Sequence, residues 1–107
     1  MLASMLALVA VPALAADGLL QAAYEGDAAK VAALLKAGAD PRASNAFGAS
    51  PMGEAARRGD AAVLQLLLKA GADPESRNAE GQTALMAVAR TGNVEAAKVL
   101  LAHGAKV

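Results

Sequence analysis

The sequence predicts an all-α solenoid built from about three helix–turn–helix repeats. Two series of glycines and one Leu-Leu pair recur at an interval of 33 residues. Their members are Gly26, Gly59 and Gly92; Gly38, Gly71 and Gly104; and the pairs that begin at Leu34, Leu67 and Leu100. A fixed period of about 20–50 residues is the sequence signature of repeat proteins, in which each unit is one supersecondary element.

The chain begins with MLASMLALVAVPALAA, a stretch without a charged side chain. The apolar run Leu2–Val11, then Pro12 and small residues up to Ala15, predict a secretory signal peptide, residues 1–15, with cleavage after Ala16 as the next choice. No Lys or Arg precedes the run, so an uncleaved apolar helix packed on the first repeat is the alternative reading. The run is too short for the ~20 residues of a membrane span. We therefore expect an exported protein, periplasmic or secreted, with no membrane span after cleavage.

Residues 16–107 form the predicted repeat domain, with repeats at about 17–47, 48–80 and 81–107. In the first repeat we expect helices at Gly18–Glu25 and Ala28–Ala37. A short polar residue precedes each second helix, where it can accept hydrogen bonds from the first backbone N–H groups. These residues are Asp27, Asp60 and Asn93. Lys30 stands where the central repeat has Val63, which suits a terminal repeat whose outer face meets water.

The connections between repeats contain Asn45 and Asn78, each three residues before a glycine, and this spacing predicts tight turns. Ser50 is a candidate N-cap for the next helix. Pro51 follows it at the first helical position, where its missing N–H costs no hydrogen bond.

The third repeat carries Glu95 and Lys98 on the expected solvent side of its last helix, but its outer stacking face has no polar replacement. About three repeats are needed for a stable array. The chain is then a natural short protein, a fragment of a longer array, or a unit completed by dimerisation. Dimerisation predicts self-association that weakens when Val99, or another outward apolar residue of that helix, becomes polar.

Ten basic and ten acidic residues balance, so the chain lacks the excess of positive charge that drives nucleic-acid binding.

The residue types present also argue against catalysis. There is no cysteine, and His103, the one histidine, falls at a helix end without clustered partners. The glycines lie at helix ends and turns rather than in a phosphate-binding loop. We expect no enzyme activity, cofactor or metal.

Two segments match a known core motif, T-P-L-H-x-A, at the repeat period. They are Ser50–Ala55, SPMGEA, and Thr83–Val88, TALMAV. With the paired glycines, they make the chain resemble the ankyrin repeat family from about Asp17 to its end, and specifically exported bacterial members. The motif's histidine is replaced by Gly53 and Met86. The resemblance implies projecting β-turn fingers and a non-enzymatic module that binds another protein. Some members of this kind assist a periplasmic enzyme such as catalase, which implies a narrower class of partner.

In this family the partner lies along a concave surface made by the fingers and the first helices. The resemblance places there Tyr24, Glu25, Ser44, Ala46, Phe47, Ala49, Arg57, Arg58, Arg77, Ala79, Glu80, Gln82, Arg90 and Thr91. Aromatic residues and arginine are the usual anchors of an interface, so Phe47 with Arg57, Arg58 and Arg90 is the predicted hot spot. In the alternative, Phe47 folds back on its loop and the arginines are solvated or pair with Glu54 and Glu25. A second function remains open, in which the third repeat completes a larger array or a homodimer.

Overall fold

The computed structural model describes residues 18–106, and the predicted signal peptide lies outside them. Residues 18–25 are helical and are labelled α1. The remaining helices are α2 (Ala28–Lys36), α3 (Pro51–Arg58), α4 (Ala61–Lys69), α5 (Ala84–Thr91) and α6 (Val94–Ala102). Within these described residues the β-structure is a single bridge between Arg77 and Thr83. The predicted all-α solenoid of three helix pairs is confirmed, with α2 ending one residue earlier than expected because Ala37 is its C-cap.

Side-chain caps fix where these helices begin. Asp60 accepts a hydrogen bond from the Val63 N–H, and the equivalent residues of the other repeats accept in the same way. Ser50 accepts from the Gly53 N–H at 3.0 Å, with proline in the first turn of α3. Thr83 caps α5 from the equivalent position. Each cap satisfies a backbone donor that the helix itself leaves without a partner, so the predicted starts follow from local chemistry.

Gly59 ends α3 for two physical reasons, its backbone conformation and its close contact with the next repeat. Gly59 has φ +68°, in the left-handed region that glycine adopts without a steric penalty. In addition, the Asn93 side chain of the next repeat donates to the Gly59 carbonyl at 2.7 Å. A Cβ on Gly59 would lie 2.7 Å from that amide nitrogen, so a side chain here would break the contact between repeats.

The helices form two layers that stack along the repeat direction. One layer holds α3 and α5 in contact, and the other holds α4 packed between α2 and α6. Val63, Leu64 and Leu67 of α4 are fully buried, as are Ala55 and Ala56 of α3. Alanine allows the first helices to approach closely, while the leucines fill the space between the layers.

The two ends of the stack differ. Lys30 is exposed where the equivalent Val63 is buried, so the first repeat presents a polar residue at that place. At the other end Leu101 is 46% exposed, whereas its equivalent Leu68 is 7% exposed.

The expectation for Val99 is corrected at this end. Val99, expected to face outwards, is half-buried and packs against the core. The exposed large apolar residues of α6 are Val94 and Leu101.

This asymmetry predicts different costs for the same truncation at equivalent positions. Leu68→Ala should lower the free energy of unfolding by about 2–5 kcal/mol, because it leaves a cavity between stacked repeats. Leu101→Ala should cost less than about 1 kcal/mol, since much of that side chain is already in water. Urea unfolding followed by circular dichroism measures both. Equal costs would mean that Leu101 is covered in solution.

Candidate functional site

Asparagine side chains hold both fingers in shape. In the first connection the Asn45 side-chain oxygen accepts from the Phe47 N–H at 2.9 Å and the Ala49 N–H at 3.0 Å. In the second, the Asn78 oxygen accepts from the Glu80 N–H at 3.0 Å and the Gln82 N–H at 2.8 Å. In each finger the glycine N–H also donates to the asparagine carbonyl, at 3.1 and 2.9 Å, which confirms the predicted tight turns.

The two fingers touch each other. Gly48 has φ +80°, and a Cβ on it would lie 3.0 Å from the Ala79 Cβ. Phe47 is 84% exposed, so it does not fold back on its own loop.

The repeat period aligns the first helices in rows. Tyr24, Arg57 and Arg90 occupy equivalent positions 33 residues apart, and all three are exposed. The fingers and this row, together with the exposed sides of α3 and α5, are called the finger surface below.

Two grooves cross the finger surface between the second and third repeats. The first, about 180 Å³, has Phe47 on its wall and Glu54 at its side; the second, about 350 Å³, is lined by Arg90 and Gln82. Arg57 and Glu80 line both grooves, so the two are adjacent. Both hold a mixture of charged and small residues.

The arginines of this surface have different surroundings. Arg58 donates to the Tyr24 carbonyl at 3.3 Å, and Arg77 donates to the Gly81 carbonyl at 2.6 Å. Arg57 makes only a 3.8 Å ion pair with Glu54, and its side chain stays 58% exposed. The side chain of Arg90 makes no hydrogen bond or ion pair with any residue from 18 to 106. Arg57 and Arg90 are therefore the arginines with most capacity for a new partner.

Glu25 has a different contact from the one considered in the sequence. Its carboxylate accepts a hydrogen bond from Gln21 at 3.0 Å, and no arginine of the described part pairs with it. The pairing of an arginine with Glu54 is found, through Arg57.

The predicted binding residues do not all share one groove. Two adjacent grooves are lined by Phe47, Ala49, Arg57, Ala79, Glu80, Gln82, Arg90 and Thr91. Tyr24 lines another groove of about 190 Å³, with Leu20 and with Glu54, which also lines the first groove. Ser44 and Arg77 line another, of about 250 Å³, with Arg42 and Asp73. Ala46 is exposed at the finger turn.

Sequence reasoning left five residues of the first groove out of its binding set. They are Gly48, Ser50, Gly53, Glu54 and Asn78. Gly53 occupies the place of the core motif's histidine. The absence of a side chain at this position is the feature of the sequence that could have predicted open space there. The side chain of Glu54 is only 16% exposed. This burial depends on the neighbouring finger, so the spacing of residues in the sequence does not predict it.

Groups that carry catalytic chemistry are scattered in the described part of the chain. His103 is the C-cap of α6, where its N–H bonds to backbone carbonyls of the last turn. Among residues 18–106, no three His, Asp or Glu side chains are grouped so that they could hold a metal ion. None of the helices in this range has both the length and the apolar character to cross a membrane.

Comparison with known families gives a match over most of the chain. A family model described as ankyrin repeats (3 copies) matches residues 19–107. The comparison with curated proteins found no match.

Proposed function

The chain belongs to the ankyrin repeat family, and on that basis we propose that it is an exported, non-enzymatic module that binds another protein on its finger surface. Ankyrin repeats are generally protein–protein interaction modules. We choose this surface because Phe47, a large apolar side chain, is 84% exposed there on a finger whose backbone is held by hydrogen bonds.

A rigid aromatic residue beside arginines is the usual composition of an interface hot spot. Phe47 and Arg57 line the same groove, so one partner segment can contact both. The finger backbone is already held in shape by Asn45, which reduces the conformational entropy lost on binding.

Export is the part of the proposal that rests on residues 1–15 alone. It predicts that the protein made in a Gram-negative host is found in the periplasm with an intact mass that lacks this segment. Cytoplasmic protein of full mass would contradict export. Within an exported protein, an enzyme of the periplasm, such as a catalase, is a narrower form of the proposed partner.

Replacing the predicted anchors should abolish partner capture without unfolding the protein. Phe47→Ala and Arg57→Ala should each lower the amount of partner retained by the immobilised protein at least tenfold, since hot-spot truncations cost about 2 kcal/mol or more. Quantitative mass spectrometry of the retained proteins measures this, with circular dichroism to check folding.

Lys98→Ala is the matched control for Arg57→Ala, because it removes an exposed basic side chain on the solvent side of α6. Retention unchanged by the Phe47 and Arg57 substitutions would contradict the finger surface as the binding site.

A second candidate function is favoured by the exposed apolar end of the third repeat. Leu101 is 46% exposed where its equivalent in the central repeat, Leu68, is 7% exposed, and Val94 on the same helix is 62% exposed. A second copy of the chain, or further repeats of a larger array, would cover them.

Self-association predicts a molar mass that rises with concentration in light scattering. Leu101→Glu should shift the protein to monomer, whereas Ala102→Glu, which adds the same charge at an exposed neighbouring position, should not. A monomer at all concentrations in the unmodified protein would exclude the homodimer.

A further inference from the structure

The two kinds of basic residue are separated in the fold. The lysines are on the second helices or after the last one: Lys30, Lys36, Lys69, Lys98 and Lys106. The arginines are on the connections and the first helices: Arg42, Arg57, Arg58, Arg77 and Arg90. Arginine presents a planar fork of donors that matches a carboxylate, and lysine does not. The basic side chains of the finger surface are therefore of the type that binds carboxylates well, although the net charge of the whole chain is zero.

Two of these arginines remain available in one groove. Arg57 and Arg90 line the groove of about 350 Å³, together with the polar side chains of Gln82 and Thr91. The 3.8 Å contact of Arg57 with Glu54 is a loose ion pair at the surface, and such pairs are easily exchanged for a better partner.

The spacing of the two arginines is set by the stack. They are equivalent residues of α3 and α5, which pack against each other, and packed helices lie about 8–10 Å apart. A chain in the polyproline II conformation has three residues per turn and rises about 3.1 Å per residue, so its side chains i and i+3 lie on the same side, about 9 Å apart. One side chain of such a segment can therefore meet each guanidinium.

The same groove limits what can enter it. Glu80 lines the finger side and Glu54 lies beside Arg57, so a polyanion with closely spaced phosphates would meet like charges. A segment with two separate carboxylates avoids them if both point towards the first helices.

We propose that this groove binds an acidic segment of the partner protein in the polyproline II conformation, with carboxylates three residues apart paired with Arg57 and Arg90. This inference rests on the proposed protein-binding function and specifies its partner chemistry.

The probes are three acetylated and amidated octapeptides in a Gly-Ser background, with Asp, Asn or Lys at positions three and six. Each is titrated into the ¹⁵N-labelled protein and followed by NMR at the Arg57 and Arg90 side-chain Nε–H signals. We expect millimolar or tighter binding of the Asp peptide, and binding of the Asn peptide about tenfold weaker, as for loss of a charge-assisted contact.

Protein variants separate local pairing from net charge. Arg90→Gln should weaken the Asp peptide about tenfold. Lys98→Gln, with the same change in net charge on the solvent side of α6, should leave the Kd within about twofold, because exposed charges so far apart are screened. Glu80→Gln should tighten binding a few-fold, because it removes a like charge from the groove.

Four results would overturn the inference: equal binding of the Asp and Asn peptides, tighter binding of the Lys peptide, equal weakening by Arg90→Gln and Lys98→Gln, or no binding at 10 mM peptide. Any of them, with partner capture still dependent on Phe47, would leave the proposed function standing. Loss of the Phe47 dependence would remove the function itself, whatever the peptides do.

Discussion

Stacking between neighbouring repeats is the interaction on which the rest of the molecule depends. No single helix pair buries its own apolar face, and α4 does so only because α2 and α6 lie on either side of it. The constant interval of 33 residues then determines which side chains become neighbours. Tyr24, Arg57 and Arg90 form a row for this reason alone. The row of exposed side chains in the candidate binding surface is thus a consequence of the repeat interval, and the fingers lie beside this row.

Most of the fold could be predicted because its signals are local. A cap such as Asp60, or a turn such as that at Asn45, acts through hydrogen bonds within a few residues. The roles of Arg58 and Val99 could not be predicted in the same way. The carbonyl that Arg58 reaches lies 34 residues away, and the burial of Val99 depends on how α6 is rotated against its neighbours. Spacing places a residue in a repeat, but the contact between repeats decides what its side chain meets.

The candidate site shows the same division. Exposure of Phe47 follows from its place beside the turn glycine, and the arginines could be assigned to the first helices from the period. The sequence could not predict which of these arginines bond to backbone carbonyls, because that depends on which carbonyls lie within reach in the folded chain. Arg58 and Arg77 donate to backbone carbonyls of the neighbouring repeat and of a finger, whereas the side chains of Arg57 and Arg90 make no such hydrogen bond within residues 18–106. A surface of this kind is stiff in its backbone and has free capacity in a few side chains, which is the arrangement that favours specific binding.

Site-specific photo-crosslinking tests the central claim most directly. A benzophenone side chain is placed at position 47 on the finger, at position 101 on the third repeat, or at position 98 on the solvent side of α6, and the protein is irradiated in the cell. The account predicts a crosslink to a different protein from position 47 and none to that protein from position 98. A product of twice the chain mass from position 101, with no product from position 47, would contradict the finger surface as the binding site.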